Sequence, residues 1–183
     1  MKIILLRHEE RENNREFYTE LTKNGINNSY LLINKLKNFN FDVIFSSPYI
    51  RTLQTIYPYC SKYNKKVNIE YGLYEYLYLY VPYYLLGNWY YTINDINNKP
   101  LLSIINNNYL SIVNKYDFLI LENEISLEKR ITKFIDYLRH NYYDKTVLIV
   151  SHTRVINKIK DLYVKKTDIN AEFKMGHYEV YDI

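Results

Sequence analysis

Thr146-Val147-Leu148-Ile149-Val150-Ser151-His152 reads as a β-strand that stops at a serine and a histidine. Its apolar run from Val147 to Val150 has no polar alternation, the pattern of a strand buried on both faces of a parallel sheet. The N-terminus has the same form: Lys2-Ile3-Ile4-Leu5-Leu6 is a short apolar run that ends in Arg7-His8. Between the two, strand and helix signals alternate. Leu21-Thr22-Lys23-Asn24-Gly25 leads into Tyr30, Leu31, Leu32, Ile33 and Leu36 at helical spacing, and Asp42 to Phe45 is a second strand. Ser47 followed by Pro48 predicts a helix from about Pro48 to Tyr63, with serine as N-cap and proline at the first helical position.

Lys66 to Ile69 is a third strand, closed by Tyr71-Gly72. From about Tyr76 to Asp117 the chain carries Pro82, Gly87, Trp89, Pro100 and the Asn106-Asn107-Asn108 run, which predicts an irregular, partly helical excursion. Helical spacing returns from Glu124 to Tyr143 and again through Val155, Ile156, Ile159 and Leu162. Tyr178 to Ile183 alternates as a last strand. Strands alternating with helices predict an α/β fold: a three-layer α/β/α sandwich whose central sheet is mostly parallel, with one antiparallel strand. The expected organisation is one domain over 1–183, with a cap-like insertion at about 76–117.

Composition narrows the class. The chain has 183 residues, 48% hydrophobic and 24% charged, enough to bury a core without a disulfide or metal staple. Cys60 is the only cysteine, which excludes an internal disulfide and a cysteine-based zinc site. The net charge of +4 is spread along the chain, so no nucleic-acid partner is expected. Tyrosine occurs 23 times, and asparagine, isoleucine and lysine are also abundant. All four have AT-rich codons, so genome bias accounts for the excess, with a cap lined by tyrosines from Tyr74 to Tyr91 as the functional alternative. No signal-peptide core or membrane-spanning run is present in the sequence, which predicts a cytoplasmic protein with no membrane partner.

In a parallel α/β sheet, ligands bind at the carboxyl edge of the strands. Arg7-His8 follows the first strand, Ser47 to Arg51 the second, Glu75 the third, and Ser151-His152 the strand at Thr146. Arginines suit phosphate oxygens, a neutral imidazole can attack phosphorus, and a carboxylic acid can protonate a leaving oxygen. With no cysteine nucleophile and no glycine-rich phosphate loop, histidine is the candidate for covalent phosphoryl transfer.

These residues resemble the histidine phosphatase superfamily, the phosphoglycerate-mutase-like fold. Its Arg-His-Gly, Ser-Ser-x-x-x-Arg-x-x-Gln-Thr, Leu-x-Glu and late Ser-His-Gly read here as Arg7-His8-Glu9, Ser46-Ser47-Pro48-Tyr49-Ile50-Arg51-Thr52-Leu53-Gln54-Thr55, Leu73-Tyr74-Glu75 and Ser151-His152-Thr153. Leu21-Thr22-x-x-Gly25 also looks like the family's Leu-Thr-x-x-Gly. Arg7-His8-Glu9-Glu10-Arg11 and Gly72-Leu73-Tyr74-Glu75-Tyr76 are most similar to the Sts-type and ecdysteroid-phosphate phosphatases.

The resemblance implies that His8 is the nucleophile and Glu75 the general acid and base. It further implies that Arg7, Arg51 and His152 hold the phosphoryl group, with Arg11 a further substrate-binding residue. It implies no cofactor and no metal. The expected activity is a phosphomonoesterase acting on a phosphorylated small molecule or phosphoprotein, with oligomeric state left open. The alternatives are a phosphoglycerate-mutase-like phosphotransferase and a phospho-ligand-binding protein with weak or lost catalysis. A metal hydrolase built on His8, His152 and carboxylates is more remote.

The last alternative to catalysis comes from Glu9, which stands in the place of the motif glycine. A carboxylate about 6 Å from phosphate opposes it by roughly 3 kcal/mol at an effective dielectric of ~20. Thr153 in place of the second glycine is a milder departure. His140 and His177 are assigned no chemistry.

Overall fold

The fold is taken from a computed structural model. It describes residues 1–14, 17–76, 98–114, 122–164 and 173–183. Five strands form one sheet in the order β3-β2-β4-β1-β5. They are β1 (Lys2–Arg7), β2 (Val43–Ser46), β3 (Asn68–Ile69), β4 (Thr146–Ser151) and β5 (Tyr178–Asp182). β1, β2, β3 and β4 run parallel, and β5 pairs antiparallel with β1. The expected mostly parallel sheet with one antiparallel strand is therefore present.

The apolar runs explain why β1 and β4 lie side by side near the centre. Successive strand residues face opposite sides, yet Ile3 to Leu6 and Val147 to Val150 are all fully buried. Only strands covered on both faces can carry such sequences.

The helices are α1 (Lys23–Leu36), α2 (Ile50–Tyr63), α3 (Lys99–Ser103), α4 (Glu124–Asn141) and α5 (Thr153–Tyr163). From β1 through α1 to β2 and through α2 to β3, the chain moves steadily toward one edge. It then returns through α4 to the middle at β4. With right-handed crossovers, α1 and α2 fall on one face and α4 on the other. The packing agrees: α1 lies against α2, and α4 against α5. Leu127, Ile131, Phe134, Ile135 and Leu138 form the buried stripe of α4.

Local signals set the helix starts. Thr22 caps α1 by accepting the Gly25 N–H at 3.0 Å. Asn123 and Ser126 form a reciprocal capping box on α4. Each such cap contributes about 1 kcal/mol.

The predicted start of α2 is corrected. The helix begins at Ile50 with Tyr49 as N-cap and no side-chain capping bond. Ser47 is used elsewhere: its hydroxyl lies 2.9 Å from His152 Nε2, and its carbonyl accepts from Thr52 Oγ1 at 2.8 Å. β3 is shorter than the predicted Lys66–Ile69. Lys65 and Lys66 reach out to the carbonyls of Phe41 and Ser103, and Val67 makes only an isolated bridge to Ile105.

Of the expected excursion at 76–117, the described part contains α3 and the bridge at Ile105. Residues 77–97 and 115–117 lie outside the described residues, as do most of the Tyr74 to Tyr91 cluster. Among the described residues, no helix is long and apolar enough to cross a membrane.

Gly25 shows how closely α1 meets the loop after β1. A Cβ built there would lie 2.0 Å from the Glu10 carbonyl oxygen. That contact is with backbone, which cannot step aside cheaply. Gly25→Ala is expected to destabilise the protein by about 1–3 kcal/mol, the range for overpacking. A denaturant midpoint unchanged from wild type would contradict this close approach.

Candidate active site

The register of β1 on β4 builds the centre of the site. Arg7 pairs with Ser151, so the residues that follow, His8 and His152, leave adjacent strands together. The His8 N–H donates to the Ser151 carbonyl at 3.1 Å. The two imidazoles meet edge to face with ring centroids 5.3 Å apart. On the other side of β4, Ser46 pairs with Val150 and the Ser47 N–H donates to the Val150 carbonyl at 3.0 Å. That pairing delivers α2, and Arg51 from its first turn, to the same edge.

Arg51 and His152 are buried, and Glu75 is partly exposed above them. Arg51 Nη2 lies 3.5 Å from Glu75 Oε2 and 3.5 Å from His152 Nδ1. His152 Nδ1 is 3.2 Å from Glu75 Oε2. The Arg51 guanidinium stacks 4.1 Å from the centroid of the Tyr49 ring, and that ring meets His152 at 4.9 Å. Tyr49 therefore braces both groups from beneath, through a cation–π contact and an edge contact.

His8 is fixed differently. Its Nδ1 lies 2.7 Å from the Glu9 carbonyl oxygen, an acceptor, so Nδ1 carries the proton and donates. Nε2 then holds the lone pair. The Glu9 N–H donates to Thr55 Oγ1 at 2.9 Å, and Thr55 donates to the Arg51 carbonyl at 2.7 Å. Gln54 Oε1 accepts from the Leu21 N–H at 2.7 Å. The Gln54-Thr55 pair thus ties the loop after β1 to α2.

Arg7 donates from Nη1 to the Phe173 carbonyl at 2.7 Å, which orients it from the C-terminal side of the sheet. Arg11 lies further out. Its Nη1 donates to the Glu12 carbonyl at 2.7 Å and to that of Asn14. Its charge still acts on His8 and Arg51.

The carboxylate of Glu9 turns away from these groups. Its partners are the Asn28 side chain and the Lys35 charge, and it occupies the space beside Gly176. A Cβ on Gly176 would lie 2.0 Å from Glu9 Oε1. Gly176 has φ +67 and donates its N–H to the His8 carbonyl at 3.1 Å.

The electrostatics combine the fixed charge of Arg51 with titrating groups whose charged forms are disfavoured by burial. Burial, then the Arg51 charge, pushes the His8 pKa down to about 3. The same two causes hold His152 well below the usual imidazole value. Burial raises the Glu75 carboxyl, with Arg51 pulling in the opposite direction. Both imidazoles are therefore neutral near pH 7, while the guanidinium of Arg51 keeps its charge. The N-terminus of α5, which starts immediately after His152, adds a positive dipole end.

Among the described residues, His8, Glu75 and His152 offer three potential metal-ligand atoms within 4.8 Å of one another. A dication between them would sit against Arg51 Nη2, which is 3.5 Å from both His152 Nδ1 and Glu75 Oε2. The guanidinium already supplies positive charge at that point, so the set suits a phosphoryl group better than a cation.

Residues 3–81 match the family model described as histidine phosphatase superfamily (branch 1). The resemblance to the histidine phosphatase superfamily is borne out. Solved structures extend the similarity in fold over nearly the whole chain. The ecdysone phosphate phosphatase of Bombix mori, in complex with tungstate, is 15% identical with a TM-score of 0.69, covering 98% of this chain and 88% of that one. A putative alpha-ribazole-5'-P phosphatase from Escherichia coli is 23% identical with a TM-score of 0.68, covering 100% and 91%. Phosphoserine phosphatase from Entamoeba histolytica, in complex with 3-phosphoglyceric acid, is 25% identical with a TM-score of 0.59, covering 98% and 89%. No curated protein sequence is significantly similar to the chain.

The superfamily motifs point to His8, Arg51, Glu75 and His152, and these four are brought together here, with Arg7 and Arg11 alongside. The sequence reading missed the roles of Ser47, Tyr49 and Thr55, although all three lie inside the quoted Ser46 to Thr55 block. It also missed Glu70 and Arg130. Arg130 carried a visible signal: it falls between Leu127, Ile131 and Phe134 on the buried stripe of α4, where a charge requires a partner.

The depressed His8 pKa has a thermodynamic consequence. Between about 3 and 6.5 the unfolded chain binds more protons at this residue than the native one does. Stability contributed by neutral His8 is therefore present above pH 6.5 and is lost as pH falls toward about 3. In His8→Asn, the drop in Tm between pH 7 and pH 4 is expected to be smaller than in wild type. Identical drops in the two proteins would refute the buried neutral imidazole.

Proposed function

We propose that the protein is a metal-independent phosphomonoesterase that works through a phosphohistidine on His8. The observation that carries this reading is the fixed tautomer of His8. With Nδ1 donating to the Glu9 carbonyl at 2.7 Å, Nε2 carries the lone pair, and His8 belongs to a cluster with Glu75 and His152 whose ligand atoms lie within 4.8 Å of one another.

The steps follow from those positions. Phosphoryl oxygens bind to Arg7, Arg51 and His152, with Arg11 adding charge at the mouth. His8 Nε2 attacks phosphorus, the N–P bond forms, and the ester P–O bond breaks. Glu75, whose pKa burial raises, gives its proton to the leaving oxygen, and the alcohol departs. The phosphoimidazolium keeps its Nδ1–H bond to the Glu9 carbonyl, which stabilises its positive charge. Glu75, now a carboxylate, takes a proton from water as the water oxygen attacks phosphorus. The N–P bond breaks, phosphate leaves, and His8 is neutral again.

Fixed donors aimed at the transferring group account for the acceleration, because they need no reorganisation during the step. The substrate is a phosphorylated small molecule, the class named for each of the three phosphatases above. The binding-only alternative rested on Glu9 opposing the anion, and that carboxylate is engaged by the Asn28 side chain and the Lys35 charge beside Gly176.

Hydrolysis of an aryl phosphate in excess EDTA tests the reading. Wild type is expected to turn over, and His8→Ala to lose activity by about 10³-fold or more, as nucleophile removal does elsewhere. An acid-labile, base-stable phosphoenzyme should be trapped on wild type alone. Equal activity in the two proteins, or dependence on added metal, would overturn the mechanism.

Because Glu75 must be protonated for the first step, kcat/KM is expected to hold above the ordinary carboxyl range and fall as pH rises through its elevated pKa. Glu75→Gln should remove that alkaline limb. Persistence of the limb in this variant would assign the acid elsewhere.

A further inference from the structure

A second carboxylate lies five positions before the proposed acid and takes no part in the steps above. Glu70 follows β3 and is fully buried, yet its partners are not cations. Oε1 accepts from the Gly72 N–H at 2.8 Å, the Val113 N–H at 3.2 Å and Ser111 Oγ at 2.9 Å. Oε2 accepts from the Tyr109 hydroxyl at 2.5 Å and the Ile112 N–H at 3.0 Å. Five donors on one carboxylate saturate its lone pairs. This offsets the desolvation cost that an isolated buried charge would carry.

The groups bound by Glu70 fall into two sets. One is the turn at 71–73, which leads directly to Glu75. The other is the returning arm of the excursion, at 109–113.

The turn itself is held almost atom by atom. The Tyr71 N–H donates to Ser111 Oγ at 2.9 Å. The Gly72 carbonyl accepts from Arg130 Nη1 at 2.5 Å, and Arg130 is fixed by a double contact to Glu122 at 2.5 and 3.1 Å. The Leu73 carbonyl accepts from Ser151 Oγ at 2.9 Å, at the end of the strand that delivers His152. Gly72 has no room for a side chain, since a Cβ would meet Val113 at 2.9 Å and Glu70 Oε1 at 3.0 Å. Several buried side chains are thus spent on three residues of backbone, and the next side chain to face the site is Glu75.

We infer that Glu70 is the positioning residue for the acid Glu75, locking the 71–73 turn and coupling it to the 109–113 arm. This rests on the phosphatase reading, in which Glu75 makes two proton transfers, and only the first, to the leaving oxygen, falls within kcat/KM. Loss of Glu70 should therefore harm substrates whose leaving group needs a proton and spare those whose leaving group does not.

The test compares Glu70→Gln with wild type on an alkyl phosphate and on a nitrophenyl phosphate, with His8→Ala and Glu75→Gln alongside. The amide keeps the shape but turns an N–H group toward the donors. For Glu70→Gln, kcat/KM on the alkyl ester is expected to fall by about 10²-fold, the effect of a misplaced catalytic group. On the nitrophenyl ester the fall should be within about threefold, matching the pattern of Glu75→Gln.

Equal losses on both esters would overturn the inference, as would wild-type rates on both. If Glu70→Gln does not fold, Tyr109→Phe removes a single donor and should show the same leaving-group pattern at smaller size. A readout independent of turnover is the titration of the Glu75 carboxyl by NMR. It should move toward an ordinary carboxyl value in Glu70→Gln, and an unmoved titration would overturn the inference even in an inactive protein. Activity that survives His8→Ala would instead sink the phosphatase reading, a distinct outcome.

Discussion

The parallel pairing of β1 with β4 is the constraint on which the site depends. Arg7 opposite Ser151 sets His8 beside His152, and a slip of one residue would send one imidazole to the other face of the sheet. The register is secured by burial rather than by any contact at the site. Ile3 to Leu6 and Val147 to Val150 are fully covered on both faces, and the two runs align end to end in this register, with Lys2 opposite Thr146 and Arg7 opposite Ser151. The chemistry at the strand ends is carried by a core that contains none of it.

Around that pair, positive charge is held by groups that cannot give it up, while the groups that titrate are kept neutral. Arg51 lies against Tyr49, whose ring is buried and polarisable and brings no competing anion. The imidazoles are driven to their neutral forms by burial and by the same arginine. Glu75 is pulled both ways, upward by enclosure and downward by Arg51. In the proposed reaction an arriving phosphate dianion adds negative charge beside Arg51 and so opposes the pull that lowers the Glu75 pKa.

The layered fold was legible because it rests on uninterrupted apolar strands, and those survive a biased composition. Lys2 to Leu6 and Thr146 to Val150 could hardly be read otherwise. Boundaries were less secure. Ser47-Pro48 has the composition of a helix start, but the hydroxyl of Ser47 makes a tertiary bond to His152 that no local pattern contains. The site residues in motifs were legible by spacing. Arg130 was legible only as a buried charge in need of a partner, and Glu70 was not legible, because three of its five donors are backbone N–H groups, which leave no mark in a sequence. Tyr109 and Ser111 lie in the stretch from 76 to 117, where tyrosine- and asparagine-rich sequence blurs every propensity.

Glu9 and Gly176 carry one consequence for how this site can vary. The glycine expected after His8 is absent, and a glycine stands across from it in the chain, making room for the carboxylate. The two positions share one volume. A side chain at 176 would have to displace the Glu9 carboxylate from its present place, and Gly176 also anchors the His8 carbonyl. Substitutions at the two sites are therefore epistatic: a larger residue at 176 becomes tolerable, sterically, once position 9 is small. The positive φ of Gly176 still narrows which residues can enter, with asparagine ahead of any branched side chain.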